Sequence, residues 1–167
     1  MSDVLRLDPV PAEAFAGRDV TLRRAPDMAR YSIRARTAAD VERLLGAAVP
    51  AKIGATAHGL ACLGPDEWML RQPEGAPAPA MDDPKVAVTE ISHRNIGITV
   101  EGLRAIEVLS AGCPLDLSKF EIGRATRTIF ETVEVLIERT GEESFHVEVW
   151  RSFAPWLWTA LTSVASE

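Results

Sequence analysis

The feature that most constrains the fold is a pattern of elements that occurs twice along the chain. The segments YSIRAR, a helix, ATAHGLACL, GPDE and WMLRQ are paralleled by IGITVE, a helix, RATRTIF with TVEVLIERT, GEES and FHVEVW. Each copy predicts strand–helix–strand–strand, in which a helix covers one face of a small antiparallel sheet. We therefore predict an α+β fold of two such halves, with mostly antiparallel sheets and helices packed on one face.

The first half begins with a predicted hairpin. Residues 20–24 are strand-like, and Pro26 starts a turn. Tyr31, Ile33 and Ala35 then alternate with polar residues, which is typical of a strand with one buried face.

A helix is predicted after this hairpin, in TAADVERLLGAAVP. Thr37 is placed to cap its N-terminus, and we expect Pro50 to end it. Its apolar side chains recur at helical spacing and form one stripe: Val41, Leu44, Leu45 and Ala48. The following segments, 55–63 and 67–72, read as a strand and its returning partner around a turn at 64–66.

Proline divides the chain at residues 73–84, PEGAPAPAMDDP, which predict a stiff linker. The predicted organisation is therefore an N-terminal tail (1–18), a first half (19–72), the linker, and a second half (85–167). In the second half we predict strands at 86–93, 96–102, 124–130, 132–140 and 143–150.

Two helices are predicted in the second half. The first covers 103–112, with Leu103 in its apolar stripe and Gly112 as the C-cap. The second follows Ser152 as N-cap, with Phe153 and Leu157 in its buried stripe. On this helical projection Trp158 falls on the polar face, and Trp156 lies at the edge of the stripe, where it is expected in the core.

Charge and composition narrow the class of function. The net charge is −6, and an acidic chain repels phosphate backbones, so nucleic acid is not an expected partner. No apolar run approaches the roughly 20 residues that span a bilayer, so no membrane partner is expected either. Cys62 and Cys113 stand in unrelated contexts and are expected to be reduced thiols. These features predict a cytoplasmic protein.

Motifs that carry chemistry are absent from the sequence. There is no GxGxxG, Walker-type GxxxxGK[ST], HExxH or GxSxG. His58, His93 and His146 stand singly, so no metal site is predicted. Ser92 and His93 would point to opposite faces of a strand and cannot form a nucleophile–base pair there. We therefore predict no catalytic, cofactor-binding or metal-ligating residues in this chain.

A resemblance to a known family is carried by several segments. They are ISHRNIGITVEG, AGCPLDL (111–117), ATRTIF, VEVLIERTG and FHVEVWRSFAPWLW, with CLGPDEWML (62–70) matching more loosely. Together they resemble the gamma subunit of heterotetrameric sarcosine oxidase, a family that is itself similar to a truncated glycine-cleavage T-protein. The resemblance implies a T-protein-like fold, that of folate-binding aminomethyltransferases.

The resemblance also implies partners. Enzymes of this family join alpha, beta, gamma and delta subunits, demethylate sarcosine oxidatively to glycine, pass the one-carbon unit to tetrahydrofolate and form hydrogen peroxide. Flavins, NAD, tetrahydrofolate and zinc are expected in the partner subunits and no cofactor in this chain. On this basis we expect a non-catalytic accessory subunit that is inactive by itself.

Surface residues are the remaining candidates for function. Exposed tryptophan and arginine are enriched where partners dock. The expected interface comprises the N-terminal tail and these residues: His93, Arg94, Arg124, Arg127, Trp150, Arg151 and Trp158. Two alternatives stay open at this point. One is a stand-alone structural domain; the other is a folate-binding or aminomethyltransferase-like protein that would use Glu90, Asp116 or Glu148 to hold a pterin edge.

Overall fold

The computed structural model describes residues 8–167, so the first seven residues of the predicted tail lie outside it. Within this range the strands are β1 (Phe15–Gly17), β2 (Val20–Arg24), β3 (Met28–Ala35), β4 (Thr56–Ala57), β5 (Leu60–Gly64), β6 (Glu67–Pro73), β7 (Val86–Glu90), β8 (Asn95–Glu101), β9 (Ala125–Phe130), β10 (Val133–Gly141) and β11 (Ser144–Trp150). The helices are α1 (Ala38–Leu45), α2 (Ala105–Ser110) and α3 (Ala154–Ala165). No helix among these is long and apolar enough to cross a membrane.

The strands form two antiparallel sheets. The larger has the order β1-β2-β8-β11-β10-β9, and the smaller has the order β4-β5-β6-β3-β7. All recorded strand pairs are antiparallel, which confirms the predicted α+β class. The sheets lie face to face and each carries helices on its outer face. The fold is thus four layers, helix–sheet–sheet–helix.

The largest apolar core lies between the larger sheet and the helices α2 and α3. Every second residue of β8, β10 and β11 points into it, and the helices add side chains at helical spacing. Ile98, Val147, Leu157 and Leu161 are fully or almost fully buried there. A second core lies between the smaller sheet and α1, where Tyr31, Ile33, Ala35 and Val41 pack with Trp68. The prediction that Tyr31, Ile33 and Ala35 share one buried face is confirmed.

A different layer separates the two sheets. Here the side chains come from the alternate positions of the same strands. A small apolar cluster is formed by Ala61, Met69, Ile91, Ala125 and Leu136. Around it lie the buried charged residues, which we call the charged layer: Arg30, Glu67, Arg71, Glu138, His146 and Glu148.

The two sheets do not follow the Pro-rich linker. β2 precedes the linker but pairs with β8, where Leu22 lies opposite Val100. β7 follows the linker but pairs with β3, where Ile33 lies opposite Val88. Each sheet therefore contains strands from both sides of residues 73–84. The division of the chain at this linker stays a prediction.

The first helix ends earlier than predicted. Thr37 is its N-cap as expected, since its side chain accepts a hydrogen bond from the Asp40 backbone N–H at 3.2 Å. However, the helix ends at Gly46, not at Pro50. Gly46 adopts φ 66, and its N–H bonds to the Glu42 carbonyl. Glycine takes this left-handed conformation without a Cβ clash, so it terminates the helix first.

The strand predicted over 55–63 is divided by a tight turn. His58 and Gly59 have φ of 51 and 78, which reverses the chain between β4 and β5. A Cβ at Gly59 would lie 2.2 Å from the Arg71 carbonyl oxygen, so the turn also needs glycine for close packing. An exposed histidine followed by glycine forms this turn. The prediction of one continuous strand over 55–63 was therefore wrong.

The helices of the second half also differ from the predictions. α2 begins only at Ala105, so Leu103 precedes it and is 73% exposed instead of buried. Gly112 does not act as a left-handed cap. It makes room for Phe130, whose ring would lie 2.6 Å from a Cβ at this position. Ser152 does not cap α3 either, because the N-cap position is Phe153 without a side-chain hydrogen bond.

Candidate functional site

The charged layer is centred on Glu148. This residue lies on β11 and its side chain is fully buried. Its Oε2 accepts a hydrogen bond from Arg30 Nε at 2.8 Å, and its Oε1 lies 2.7 Å from His146 Nε2. Arg30 also donates to the Met28 carbonyl at 2.9 Å. Because β3 carries Arg30 and β11 carries Glu148, this pair ties the two sheets together.

Electrostatics keep Glu148 ionised. Burial by itself would raise its pKa, because water no longer solvates the charge. The hydrogen bond and charge of His146, together with those of Arg30, outweigh burial and lower the pKa of Glu148 to about 2. The carboxylate is therefore a fixed anion over the physiological pH range, not a proton donor.

Two further ion pairs cross the same layer. Arg71 on β6 donates to Glu138 on β10, and both side chains are almost completely buried. Nearer the rim, Arg127 on β9 forms a forked contact with Glu67 on β6, at 2.6 and 3.1 Å. The hydrogen bond from Arg127 lowers the pKa of Glu67 despite its partial burial. Arg127, predicted as an interface residue, thus already serves to join the two sheets.

The three carboxylates considered for a pterin edge all have partners within the chain. Glu148 is held by Arg30 and His146, as above. Glu90 accepts a hydrogen bond from the Ser92 hydroxyl at 2.9 Å. Asp116 accepts from the backbone N–H of Ser118 at 3.2 Å, in a short turn. The cleft beside Glu148 has a volume of about 40 Å³, whereas pockets for drug-sized ligands have roughly 300–1,000 Å³.

Metal ligands do not converge in the part of the chain that the structure describes. No group of three or more His, Cys, Asp or Glu side chains is placed to hold an ion there. Cys62 and Cys113 are both buried and unpaired with each other. Burial raises the pKa of the Cys62 thiol, so a smaller fraction of it is present as the reactive thiolate.

Most of the predicted interface residues lie at one end of the molecule. His93 and Arg94 are exposed in the turn between β7 and β8, whereas Trp150 ends β11 and Arg151 follows it. The Arg151 backbone N–H donates to the Arg94 carbonyl at 2.7 Å, which joins the two turns. The Arg94 guanidinium lies 4.9 Å from the centre of the Trp150 ring. Arg127 lines the cleft beside them.

Two predicted interface residues lie elsewhere. Arg124 precedes β9 and its guanidinium lies 5.0 Å from the centre of the Phe120 ring, at the other end of the strand from Phe130. Trp158 is half-buried and packs against the main core, so the prediction that it stands exposed on the polar face of α3 was wrong. Within the predicted tail, Asp8 Oδ2 lies 2.8 Å from Arg24 Nη1, and Val10 is fully buried in the main core.

The structure adds exposed residues that the sequence analysis placed inside. Trp156, expected in the core, is 39% exposed, and Phe153, expected on the buried stripe, is 44% exposed. Ile129 on β9 is 43% exposed. The α3 register explains the first two, because its buried face runs through Ala154, Leu157, Leu161 and Ala165. Phe153 is the N-cap residue and precedes the first residue of the helix, so the helical spacing does not determine which way its side chain faces.

The arrangement of layers defines the class of fold. The chain is similar to the glycine cleavage system aminomethyltransferase T from Bartonella henselae, with a TM-score of 0.66 over 89% of this chain and 47% of that one. Their sequence identity is 15%, so the similarity is one of fold alone. The predicted T-protein-like fold is confirmed.

The family follows from the sequence comparison. The model of the family described as "Sarcosine oxidase, gamma subunit family" matches residues 31–167, and the chain belongs to this family. It is 30% identical to the sarcosine oxidase subunit gamma of Corynebacterium sp. strain U-96, over 93% of this chain and 85% of that protein. It is 33% identical to the corresponding subunit of Arthrobacter sp., over 73% of this chain and 68% of that protein.

A solved structure extends the similarity to three dimensions. A chain in the heterotetrameric sarcosine oxidase from Corynebacterium sp. U-96, in complex with pyrrole 2-carboxylate, superposes with a TM-score of 0.77. The match covers 98% of both chains at 27% identity. The resemblance noted in the sequence is thus confirmed by the family match and by the fold.

Proposed function

We propose that this chain is the non-catalytic accessory gamma subunit of a heterotetrameric sarcosine oxidase. The observation that carries the proposal is the match over 98% of both chains with a chain of such a heterotetramer.

The proposal includes the rest of the complex. Its partners are the alpha, beta and delta subunits, and the assembly demethylates sarcosine oxidatively to glycine. The one-carbon unit passes to tetrahydrofolate, and oxygen is reduced to hydrogen peroxide. The flavins, NAD, tetrahydrofolate and zinc belong to the partners, and the complex works in the cytoplasm. This chain contributes to an oxidoreductase by supporting its assembly.

The site geometry favours a structural, non-catalytic role, because the buried charged groups pair with one another inside the fold. Arg30, Glu148 and His146 form one closed cluster, and Arg71 with Glu138 forms another. A general acid or base needs a group that exchanges protons near the working pH. Glu148, with a pKa lowered to about 2, does not fit this requirement.

The alternative is that the chain binds a folate by itself, as the aminomethyltransferase-like fold suggests. Fold similarity alone does not carry a function, because one fold hosts many. The alternative is tested by thermal unfolding with tetrahydrofolate. A ligand at a hundredfold excess over its Kd stabilises a binding protein by about 2.7 kcal/mol, so an unchanged Tm would exclude it.

The deciding experiment is purification of the tagged chain from its native host under mild conditions. A yellow complex with three other subunits that oxidises sarcosine is the expected result. As a control, the complex is assembled without this chain, and its yield and heat stability are compared with those of the full complex. A colourless chain that purifies alone would contradict the proposal.

A further inference from the structure

The register of the larger sheet places one row of residues at the mouth of the cleft between the two sheets. Trp150 lies opposite Asn95 on β8, and Glu134 lies opposite Ile129 on β9. Since Val135 pairs with Val149, Trp150 and Glu134 are neighbours in the same row. One row further in, Glu148 and Arg127 are covered by the smaller sheet through their ion pairs. The outermost row borders the cleft that Glu67 and Met69 of the smaller sheet also line, so it is only partly covered.

Apolar side chains accumulate at this row and continue around the end of the sheet. Trp150 is 41% and Ile129 is 43% exposed on the inner face. On the helix side, the Phe153 ring lies 6.3 Å from that of Trp150, and Trp156 contacts Phe130 edge-on at 6.4 Å. We call this surface the aromatic end: Ile129, Trp150, Phe153 and Trp156. It includes two of the four tryptophans of the chain.

The charges around the aromatic end suggest what it contacts. The chain as a whole is acidic, with a net charge of −6, yet Arg94 lies over the Trp150 ring at this end. Among residues 8–167, the Arg94 guanidinium forms no ion pair within 4.0 Å, although its charge helps to lower the pKa of Glu67, whereas Arg127 is paired directly with Glu67 and Glu134. An arginine on an aromatic face, rimmed by apolar side chains, is the composition of an interface hot spot.

We propose that the aromatic end is the surface by which this chain docks onto a larger subunit of the complex, and that the larger subunit supplies an apolar pocket bordered by a carboxylate that pairs with Arg94. This inference rests on the proposed function. It names the docking face and the chemistry of the partner, and it includes Ile129, Phe153 and Trp156 beside the residues expected from the sequence.

The test is reconstitution of the purified complex with variant chains. Trp150→Ala and Trp156→Ala are each expected to weaken association roughly 30-fold, the scale of a hot-spot residue. Arg94→Gln is expected to weaken association and to reduce its dependence on salt, whereas Arg94→Lys restores part of both. The matched control is Leu103→Ala. Leu103 is 73% exposed but lies beyond the opposite end of β8.

The outcomes separate the two proposals. If the wild-type chain does not join the complex, the proposed function fails. If the wild type joins and the Trp150 and Trp156 variants bind as tightly as Leu103→Ala, only the docking face is overturned. Self-association of the wild type through these residues would also overturn it, because the occupant would be a second copy.

A measurement on the wild type guards against variants that fail to fold. Backbone amide exchange is compared between the free chain and the complex. Slower exchange over 150–156 and in β9 on assembly is the expected result. Unchanged exchange in both segments, with slowing elsewhere, would overturn the proposal without any substitution.

Discussion

The two faces of the larger sheet are packed by opposite chemistry. Towards α2 and α3 the contacts are apolar, with Ile98, Leu157 and Leu161 fully buried. Towards the smaller sheet the same strands present the charged layer, where Glu148 is as deeply buried as those leucines. Adjacent residues of β11, Val147 and Glu148, belong to these two environments.

This difference separates stability from specificity. The apolar layer stabilises the fold roughly in proportion to the area it removes from water. A buried ion pair must first offset the desolvation of both charges, so its net contribution is small. The ion pair instead disfavours other alignments of the two sheets, because a shifted alignment would leave Arg30 or Glu148 buried and unpaired. We expect the charged layer to set how the sheets align and the apolar layer to supply most of the stability.

The largest effect is expected from removing one partner of the charged layer. Glu148→Leu leaves Arg30 buried without a counter-charge and should destabilise the fold by about 3–5 kcal/mol. Urea unfolding of the variant measures this loss. The double variant Arg30→Met/Glu148→Leu should recover most of it. If the double variant is as unstable as the sum of its single variants, the pair does not act as a unit.

A truncation in the apolar layer should cost slightly less. Leu157→Ala removes a fully buried side chain of α3 and leaves a cavity, for a loss of roughly 2–5 kcal/mol. Urea unfolding at pH 7 and pH 4 should give the same difference from the wild type at both pH values, because no charge is altered. A strongly pH-dependent difference would show that the two layers are coupled.

Acid should weaken the charged layer and leave the apolar layer unchanged. The pKa of Glu148 is lowered to about 2 in the folded chain, below the unfolded value near 4.5. Between these values the unfolded chain binds more protons, so the stability contributed by Glu148 is present above pH 4.5 and is lost as the pH falls towards 2. The loss is on the order of 3 kcal/mol.

Stability measured by urea unfolding across this pH range checks the prediction. Glu148→Gln should have a flatter profile than the wild type, although Glu67 keeps its own contribution. Leu157→Ala should retain the wild-type slope. An unchanged slope in Glu148→Gln would mean that the carboxylate is not stabilised as described.

The smallest effect is expected at the rim of the charged layer. Arg127 joins Glu67 across the sheets, but its side chain is 41% exposed, so water screens the pair. Arg127→Gln should therefore change stability by less than about 1 kcal/mol. A loss as large as that of Glu148→Leu would indicate that burial is not what distinguishes the inner pairs from the outer one.

Most elements could be predicted from the sequence because apolar periodicity marks the helix-facing side of each strand. Tyr31, Ile33 and Ala35 were assigned to one buried face in this way. The polar side of the same strand was taken as an outer face, yet Arg30 is buried between the sheets. A period of two identifies two faces but does not reveal that a second sheet covers the polar one, since this depends on partners distant in sequence.

Part of the candidate surface could also be predicted from local sequence pattern. His93, Arg94, Trp150 and Arg151 stand beside strand ends, where exposure follows from local pattern. Trp156 and Trp158 exchanged their expected environments, because the helical projection began at Phe153 and placed that residue in the buried stripe. The N-terminus of a helix is the least determined part of such a projection when no side chain caps it.

The exchange of strands across the linker bears on how the protein is made. β2 leaves the ribosome early, but the strand that covers its edge, β8, is synthesised only after the linker and β7. Until then Val20 and Leu22, which are buried in the finished fold, have only the short strand β1 as a partner. Contacts between such distant segments slow folding, because a long loop must close first.

A nascent chain that ends in the linker is therefore not expected to fold as an independent half. Its β3 would lack β7 on one side, and its β2 would present an open edge of the kind that promotes aggregation. Synthesis of the whole chain through β11 is then the step that commits the polypeptide to its native form.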